Sequence, residues 1–163
     1  MVINMEFTRL TYNDLQFLNE VRNECAVEFL HNSNTFTLEQ TQEWFNRTNP
    51  EFWIIWENGE RVGYFRTSEW SFENKSCYVG ADLHKNFRGR GLAYEAYIKF
   101  LPFLFNYFGF HKISLEVLST NKRAISLYEN IGFVVEGIKR DEILKNGVWV
   151  DSIIMSILED ELK

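Results

Sequence analysis

The residues best suited to chemistry in this sequence form a short glycine-rich segment, Arg88-Gly89-Arg90-Gly91-Leu92-Ala93, which follows an apolar run and opens a long apolar stretch. The first amides of a helix have no intrahelical partner and carry the positive end of the helix dipole. Glycines let a phosphate approach the backbone closely because no Cβ stands in the way, and Arg88 and Arg90 add positive charge. The segment therefore predicts a phosphate or pyrophosphate site at the start of a helix.

Two familiar nucleotide motifs are missing from this segment. It lacks the Gly-Lys-Ser/Thr ending of a P-loop and the third glycine of a dinucleotide fingerprint. A glycine turn that merely feeds a helix is the structural alternative. The spacing Arg-x-x-Gly-x-Ala, at Arg88, Gly91 and Ala93, fits a third kind of site.

That spacing resembles the coenzyme A loop of the GNAT family of N-acetyltransferases, whose pattern is Gln/Arg-x-x-Gly-x-Gly/Ala. A second block, Leu115 to Phe133, is similar to the strand, helix and Gly-Phe segment of the same family. The resemblance covers Val62 to Leu158 well and the preceding residues loosely. It implies one N-acetyltransferase domain over residues 1–163, which transfers an acetyl group from acetyl-CoA, as co-substrate, to a primary amine.

The resemblance also implies which residues contact the cofactor. The strand before the loop is expected to splay from its neighbour, so that its backbone bonds the pantetheine arm and polarises the thioester carbonyl. Asn121 matches an asparagine that contacts the same arm, and it also suits a helix cap. The expected cofactor-binding residues are Ala81, Asp82, Leu83, Arg88, Gly89, Arg90, Gly91, Leu92, Ala93, Asn121 and Ala124.

Two side chains are expected to be catalytic. Tyr128 matches the tyrosine that protonates the departing thiolate, and a phenol with an ordinary pKa near 10 suits that leaving group. Glu116, in Leu-Glu-Val, matches a glutamate that removes a proton from the incoming ammonium, often through water. The alternatives are a core tyrosine and a solvated strand charge. Neither Cys25 nor Cys77 matches a nucleophile, so we expect direct transfer without an acyl-enzyme.

The remaining patterns predict the elements that position these residues. Strands are expected at Phe7–Leu10, Phe52–Trp56, Val62–Thr67, Ser76–Leu83, His111–Leu118, Phe133–Glu136 and Ser152–Leu158. Helices are expected at Asp14–Cys25, from Thr37 through Phe45, at Leu92–Phe108 with a kink or early end at Pro102, and at Asn121–Asn130. Asn58-Gly59 and Asn146-Gly147 predict tight turns. With the resemblance, the order β-α-α-β-β-β-α-β-α-β-β implies an α/β fold whose mixed, mostly antiparallel central sheet is flanked by helices.

The composition argues against several classes of partner. With a formal net charge of −6 and no basic stretch, the chain lacks the surface by which nucleic-acid binders neutralise phosphates. Its histidines and cysteines have no metal-ligand spacing, so we expect no metal and two free thiols. The N-terminus has no signal-peptide pattern, and the apolar run Phe100–Phe110 is too short to span a bilayer, so we expect a cytoplasmic protein without membrane contact.

The sequence leaves the acceptor amine open. The segments Thr37–Phe45 and Lys145–Asp151 resemble the subgroup of ribosomal-protein N-terminal, polyamine and amino-sugar acetyltransferases. We expect the first two helices and the last hairpin to wall the acceptor pocket, with Phe29, Trp70 and Trp149 either there or in the core. A non-catalytic acyl-CoA sensor of the same fold is the alternative function, and a nucleotide-binding protein is a third. Family members are often dimers, so a homodimer is a further expectation.

Overall fold

The computed structural model describes residues 3–163, so Met1 and Val2 of the N-terminal segment lie outside the described residues. The strands are β1 (Met5–Arg9), β2 (Phe52–Glu57), β3 (Glu60–Ser71), β4 (Ser76–Leu83), β5 (Lys112–Leu118), β6 (Val134–Lys145) and β7 (Val148–Leu158). The α-helices are α1 (Leu15–Ala26), α2 (Leu38–Thr48), α3 (Leu92–Phe108) and α4 (Lys122–Ile131). Their order along the chain confirms the predicted order.

The strands of residues 3–163 form one seven-stranded sheet in the order β1-β2-β3-β4-β5-β7-β6. Neighbouring strands are antiparallel except β4 and β5, which run parallel. The mixed, mostly antiparallel sheet is therefore confirmed. No helix within residues 3–163 has the length and the apolar character needed to cross a membrane.

Helices cover the two faces of the sheet and bury a separate cluster on each. On one face α3 and α4 pack over the central strands, and Phe65 stacks on Phe100 with ring centroids 4.1 Å apart. On the other face α1 and α2 cover Ile54 and Tyr64. Trp44 and Phe45 of α2 pack inward against this second cluster, as their spacing predicts.

Local signals in the sequence fix several element ends. Thr37 and Gln40 form the predicted capping box of α2, because Thr37 accepts from the Gln40 amide while Gln40 accepts from the Thr37 amide. Asn58-Gly59 and Asn146-Gly147 have positive φ at both positions and close the β2–β3 and β6–β7 hairpins. Both turns confirm the prediction.

Helix α3 spans the predicted range Leu92–Phe108 and does not end early at Pro102, because residues on both sides of the proline are buried in the core. The predicted bounds of the last two strands are wrong. The last two strands run far beyond Phe133–Glu136 and Ser152–Leu158 and form a long hairpin. Register shifts at Val135/Gly137 and Lys139/Ile143 interrupt the alternation of buried and exposed residues in β6. Apolar and polar residues therefore do not alternate along this strand, and the sequence pattern does not predict its full length.

Candidate active site

The glycine segment forms a tight turn that starts α3. Gly89 and Gly91 both have φ of 77°, a conformation that favours glycine, and Gly91 caps the helix. The Glu95 amide donates to Gly91 O at 3.2 Å, so the amides of the first turn before it have no intrahelical acceptor. These amides stand at the positive end of a 17-residue helix dipole. The turn therefore has the free amides and the helix dipole that the predicted pyrophosphate site requires.

The arginines near this turn differ in what they contact. Arg88 turns inward, where it donates to Leu83 O (2.9 Å) and to Cys25 Sγ (3.1 Å). Arg90 lies 3.7 Å from a carboxylate oxygen of Glu57. The sequence argument did not single out Arg123, although a Cβ on Gly89 would lie 3.4 Å from its Nη2. An arginine of α4, distant in sequence from the motif, therefore also lies beside the turn.

Strands β4 and β5 separate beside this turn, as the resemblance implies. They pair only over Ser76–Tyr78 and Lys112–Ser114, after which each continues without the other. The His84 amide donates to Val62 O at 2.9 Å, and bonding alternates along an antiparallel pair. The N–H and C=O groups of Ala81 and Leu83 therefore face the gap between β4 and β5. Because Arg88 already donates to Leu83 O, the N–H and C=O groups of Ala81 and the N–H group of Leu83 remain available to a ligand.

The gap and the glycine turn enclose a cavity of about 400 Å³, named here the glycine-loop cavity. Every residue predicted for the cofactor or for catalysis lines it, except Arg90 and Glu116. The predicted residues around it are Ala81, Asp82, Leu83, Arg88, Gly89, Gly91, Leu92, Ala93, Asn121, Ala124 and Tyr128. Further lining residues that the sequence did not indicate are Cys25, Phe87, Tyr94, Tyr97, Arg123, Ser126, Leu127 and Asn130.

Asn121 and Tyr128 reach this cavity from the two ends of α4. The Asn121 side chain accepts from the Ala124 amide at 3.2 Å, so it caps the helix while it lines the cavity. Tyr128 is 9% exposed and packs edge-on against Tyr97, with ring centroids 5.6 Å apart. Burial raises the pKa of Tyr128 above its usual value, so its phenol keeps a proton at neutral pH. It is therefore equipped to be a proton donor.

The two cysteines are free and buried, as predicted. Burial raises the pKa of the Cys25 thiol to about 12, and the same cause raises the pKa of Cys77 to about 12. Because the thiolate is the nucleophilic form, neither side chain is prepared for attack at neutral pH. This agrees with the expectation of transfer without an acyl-enzyme.

A second and larger cavity, of about 840 Å³, lies on the other side of β4 and is named here the α1–α2 groove. Its floor includes Tyr78, Val79 and Gly80, which directly precede the strand residues of the glycine-loop cavity. The two cavities therefore meet along one strand. Helices α1 and α2 supply walls, as predicted, with lining residues Leu18, Arg22, Gln40, Thr41, Glu43, Trp44 and Arg47. The β6–β7 hairpin, also expected as a wall, contributes none of the lining residues.

The aromatic side chains expected in this wall lie elsewhere. Phe29 lines the glycine-loop cavity. Trp70 packs against Phe108 and Phe110, with ring centroids 4.7 and 5.2 Å away, and Trp149 is 59% exposed on β7. The aromatic residues that line the α1–α2 groove are Phe36, Trp44, Phe52, Tyr64 and Tyr78. They come from five separate segments, and no local pattern in the sequence marks them as a group.

Glu116 lines the α1–α2 groove and not the glycine-loop cavity. It lies on the strand face opposite Leu115 and Val117, as alternation predicts. Lys139 donates to its Oε1 at 2.7 Å and Ser152 donates to its Oε2 at 3.1 Å. Burial by itself would raise the pKa of Glu116, but these two hydrogen bonds outweigh it and lower the pKa. At neutral pH the side chain is a carboxylate with two donors in place.

An ion pair separates the two cavities. Arg66 Nε lies 3.2 Å from Asp82 Oδ2, and a Cβ added to Gly80 would lie 2.6 Å from Arg66 Nη2. Gly80 therefore makes room for the guanidinium. Tyr64 lines the groove and Tyr97 lines the glycine-loop cavity; their buried hydroxyls face Asp82 and Tyr128 respectively, and within residues 3–163 neither makes a short, well-aligned hydrogen bond. Buried polar atoms are usually satisfied, so these hydroxyls are candidate ligand contacts.

One cluster within residues 3–163 has the composition of a metal site. Ligand atoms of Glu20, Glu24 and His84 lie within 4.8 Å of one another. His84 Nδ1 accepts from the Asn86 amide at 3.2 Å, which places the ring proton on Nε2, 3.5 and 3.6 Å from the two carboxylates. Glu24 also lies 3.6 Å from Lys85 Nζ. The cluster thus joins α1 to the turn after β4 through hydrogen bonds and opposite charges.

The family model described as the acetyltransferase (GNAT) family matches residues 16–133. Spermidine N(1)-acetyltransferase of Vibrio cholerae is 28% identical over 160 residues, covering 93% of this chain and 91% of that protein. The ribosomal protein uS5-alanine N-acetyltransferase of Escherichia coli is 28% identical over 82 residues, covering 50% of this chain and 42% of that protein. The crystal structure of the Vibrio cholerae spermidine N-acetyltransferase with CoA and spermine has the same fold, with a TM-score of 0.90, 23% identity and 96% of each chain covered.

Proposed function

Because this chain belongs to the acetyltransferase (GNAT) family and transfers the acetyl group of acetyl-CoA to a primary amine, we propose that its acceptor is an elongated aliphatic polyamine. The polyamine is preferred here over an amino sugar or a protein N-terminus. The spermidine N(1)-acetyltransferase relative matches almost the whole chain, whereas the uS5-alanine N-acetyltransferase matches half of it.

The observation that carries this proposal is the arrangement of carboxylates in the α1–α2 groove. Glu43, Glu69 and Glu116 line it together with aromatic rings, and a polyamine combines several ammonium groups with apolar methylene segments. Three arginines also line the groove. Arg66 is paired with Asp82, and Arg22 donates to Asn34 O at 2.7 Å, so two of the three are engaged with protein groups.

The proposed cofactor contacts follow the glycine-loop cavity. The Gly89–Gly91 turn and the first amides of α3 hold the pyrophosphate, with Arg123 beside them. The free backbone groups of Ala81 and Leu83 bond the pantetheine arm, and Asn121 contacts the same arm. Arg90 lies outside this cavity, so its proposed contribution is long-range charge.

The proposed chemistry divides between the two cavities. On the glycine-loop side, Tyr128 donates a proton to the departing thiolate. On the groove side, Glu116 stands where the acceptor amine must lose its proton. Because the cavities meet along β4, an amine in the groove reaches the thioester from the opposite side of the strand gap.

A panel of acceptors tests the proposal. Spermidine, spermine, glucosamine and a peptide with an N-terminal alanine are offered with acetyl-CoA, and released thiol is measured. We expect kcat/KM for spermidine or spermine to exceed that for the other two at least about tenfold, and to fall with added salt. Preferred turnover of glucosamine or the peptide would contradict the polyamine assignment. Thermal shifts with acetyl-CoA, NAD and ATP check the cofactor separately.

A homodimer is also proposed. The β6–β7 hairpin carries six large apolar side chains that are more than 40% exposed: Val134, Val135, Ile138, Leu144, Val148 and Trp149. Strand β6 is an edge of the sheet, and an exposed apolar edge favours association. Light scattering after size exclusion should give twice the chain mass, and I138K should reduce it. A cytoplasmic location stays a prediction.

A further inference from the structure

The connection between α1 and α2 places a histidine beside Glu116. His31 lines the α1–α2 groove, with its side chain 31% exposed. Its Nε2 lies 2.7 Å from Ser152 Oγ and 3.8 Å from Glu116 Oε2. Ser152 is 0% exposed and lies on β7, so three remote segments meet at one wall of the groove.

The hydrogen bonds determine which nitrogen of His31 is basic. The Ser152 hydroxyl has one proton, and it donates that proton to Glu116 Oε2 at 3.1 Å. The 2.7 Å contact with His31 must then run from Nε2–H to Ser152 Oγ. Nδ1 is therefore the unprotonated nitrogen, and within residues 3–163 it makes no hydrogen bond.

The charges around His31 come from three elements. Glu116 faces it from β5, Arg66 from β3, and Lys139 and Glu142 from β6. Burial lowers the pKa of His31 from its usual value, and the nearby Glu116 only partly offsets this. The ring is neutral at pH 7 and able to accept a proton. Glu116 has a lowered pKa, and its two oxygens already accept hydrogen bonds from Lys139 and Ser152, whereas Nδ1 of His31 has no donor among residues 3–163.

We propose that His31 Nδ1 accepts the proton of the acceptor ammonium, and that Ser152 and Glu116 are positioning residues that hold the ring. Glu116 then stabilises the imidazolium through Ser152, while Lys139 keeps the carboxylate ionised. This inference rests on the proposed transfer to an amine. It gives the amine side of the reaction its own proton acceptor, distinct from Tyr128 on the thiol side.

The protons balance over one turnover. His31 takes one proton from the ammonium, and the neutral amine nitrogen bonds to the thioester carbon as the carbon–sulfur bond breaks. The thiolate receives a proton from Tyr128. The nitrogen then loses a second proton to solvent, and the Tyr128 phenolate takes up a proton from solvent. His31 finally releases its own proton to solvent. The products are the N-acetylated amine, the free thiol and one proton.

The test compares pH profiles of kcat/KM for wild type, H31Q, E116Q and the control H111Q. Glutamine keeps an N–H that can donate to Ser152 but cannot take up a proton. His111 is an exposed histidine that pairs with Glu159 at 3.0 Å, away from the groove. We expect H31Q to lose about 10²–10⁴ in kcat/KM at pH 7 and to recover activity steadily toward the pKa of the free amine. H111Q should match wild type.

E116Q separates the two candidate bases. If His31 is the base, removing the carboxylate lowers the pKa of His31, so the acidic limb of the profile moves to lower pH but persists. If E116Q abolishes the limb while H31Q keeps it, Glu116 is the base and the inference is overturned. An H31Q profile within about threefold of wild type at every pH overturns it as well.

Further measurements separate a wrong assignment of the base from misfolding, from loss of cofactor binding and from a wrong proposed function. Thermal stabilisation by acetyl-CoA should be equal in H31Q and wild type, which shows that the variant folds and binds cofactor. A conservative second variant, S152A, should lower activity and should shift the acidic limb of its pH profile to lower pH. An unshifted acidic limb would contradict the proposal that Glu116 stabilises the His31 imidazolium through Ser152. A wild type that acetylates no amine of the panel contradicts the proposed function, and with it this inference.

Discussion

The glycine-loop cavity and the α1–α2 groove lie on two sides of the same strand, yet they are built differently. The cavity is lined mainly by two contiguous stretches, residues 81–94 and 121–130, and presents backbone amides and carbonyls. The groove draws on α1, the α1–α2 loop, α2, β2, β3, β4 and β5, and it presents side chains. The proposed recognition of the cofactor by backbone groups tolerates much sequence change, whereas the proposed recognition of the acceptor depends on individual side chains.

This difference predicts how each region responds to mutation. In the cavity, changes of conformation should matter more than changes of side-chain charge. In the groove, charge and proton affinity should matter most, and residues that hold its remote segments together should affect stability. Four experiments test this contrast, beginning with the largest expected effect.

Replacing Tyr128 by Phe removes the proposed proton donor while leaving the packed ring. We expect kcat to fall about 10²–10⁴-fold with little change in KM for acetyl-CoA, because the hydroxyl acts mainly in the transition state. Steady-state kinetics by thiol release measures this. The control is Y94F, which removes a hydroxyl from the same cavity and should retain most activity. Comparable losses in both variants would argue against a special role for Tyr128.

Replacing Lys145 by Met should loosen the groove. Lys145 Nζ donates to Ala26 O (3.0 Å), Val27 O (2.8 Å) and Ser33 Oγ (2.6 Å), so it joins the β6–β7 hairpin to the end of α1. Leaving these acceptors without a donor should lower the free energy of unfolding by about 1–3 kcal/mol. Chemical denaturation measures the loss. K99M removes one exposed bond, to Ile3 O, and should stay within about 0.5 kcal/mol of wild type.

Replacing Gly91 by Ala tests backbone recognition. A Cβ there meets nothing within 4 Å, so the cost comes from φ of 77° and is roughly 1–2 kcal/mol. As the turn relaxes, its amides should move and KM for acetyl-CoA should rise about tenfold. Gly59 has φ of 83° and equally open surroundings in the β2–β3 turn. G59A should lose similar stability at unchanged KM, and an equal rise in both variants would refute specific backbone binding.

Replacing Glu43 or Glu69 by Gln should give the smallest effects. Both side chains are exposed at the groove, and exposed charge pairs contribute roughly 0.2–1 kcal/mol. KM for spermidine should therefore rise about two- to fivefold at low salt, and the rise should shrink at high salt. E39Q is the matched control, because Glu39 lies on the same helix as Glu43 but outside the groove. No change with spermidine in either variant would indicate an acceptor of lower charge.

The site shows where reasoning from sequence succeeds and where it stops. The glycine turn could be predicted because strand, turn and helix signals there are local and consecutive, and the roles of residues 81–83 and 121–128 were implied by the resemblance to the GNAT family. The same reasoning missed Arg123, whose proximity to Gly89 depends on how α4 packs. It also left Phe29, Trp70 and Trp149 open between the acceptor wall and the core, because aromatic residues suit a core and a pocket equally well.

By itself, the sequence determined the order of elements, the capped start of α2, the two Asn-Gly turns and the glycine turn before α3, since each depends on conformational preferences of neighbouring residues. Only the tertiary structure decided the length of the β6–β7 hairpin, the separation of β4 from β5, and the meeting of His31, Glu116 and Ser152. These features depend on contacts between segments distant in the chain. A side chain's partners across such contacts are set by sheet order and packing, which leave no periodic trace in the sequence.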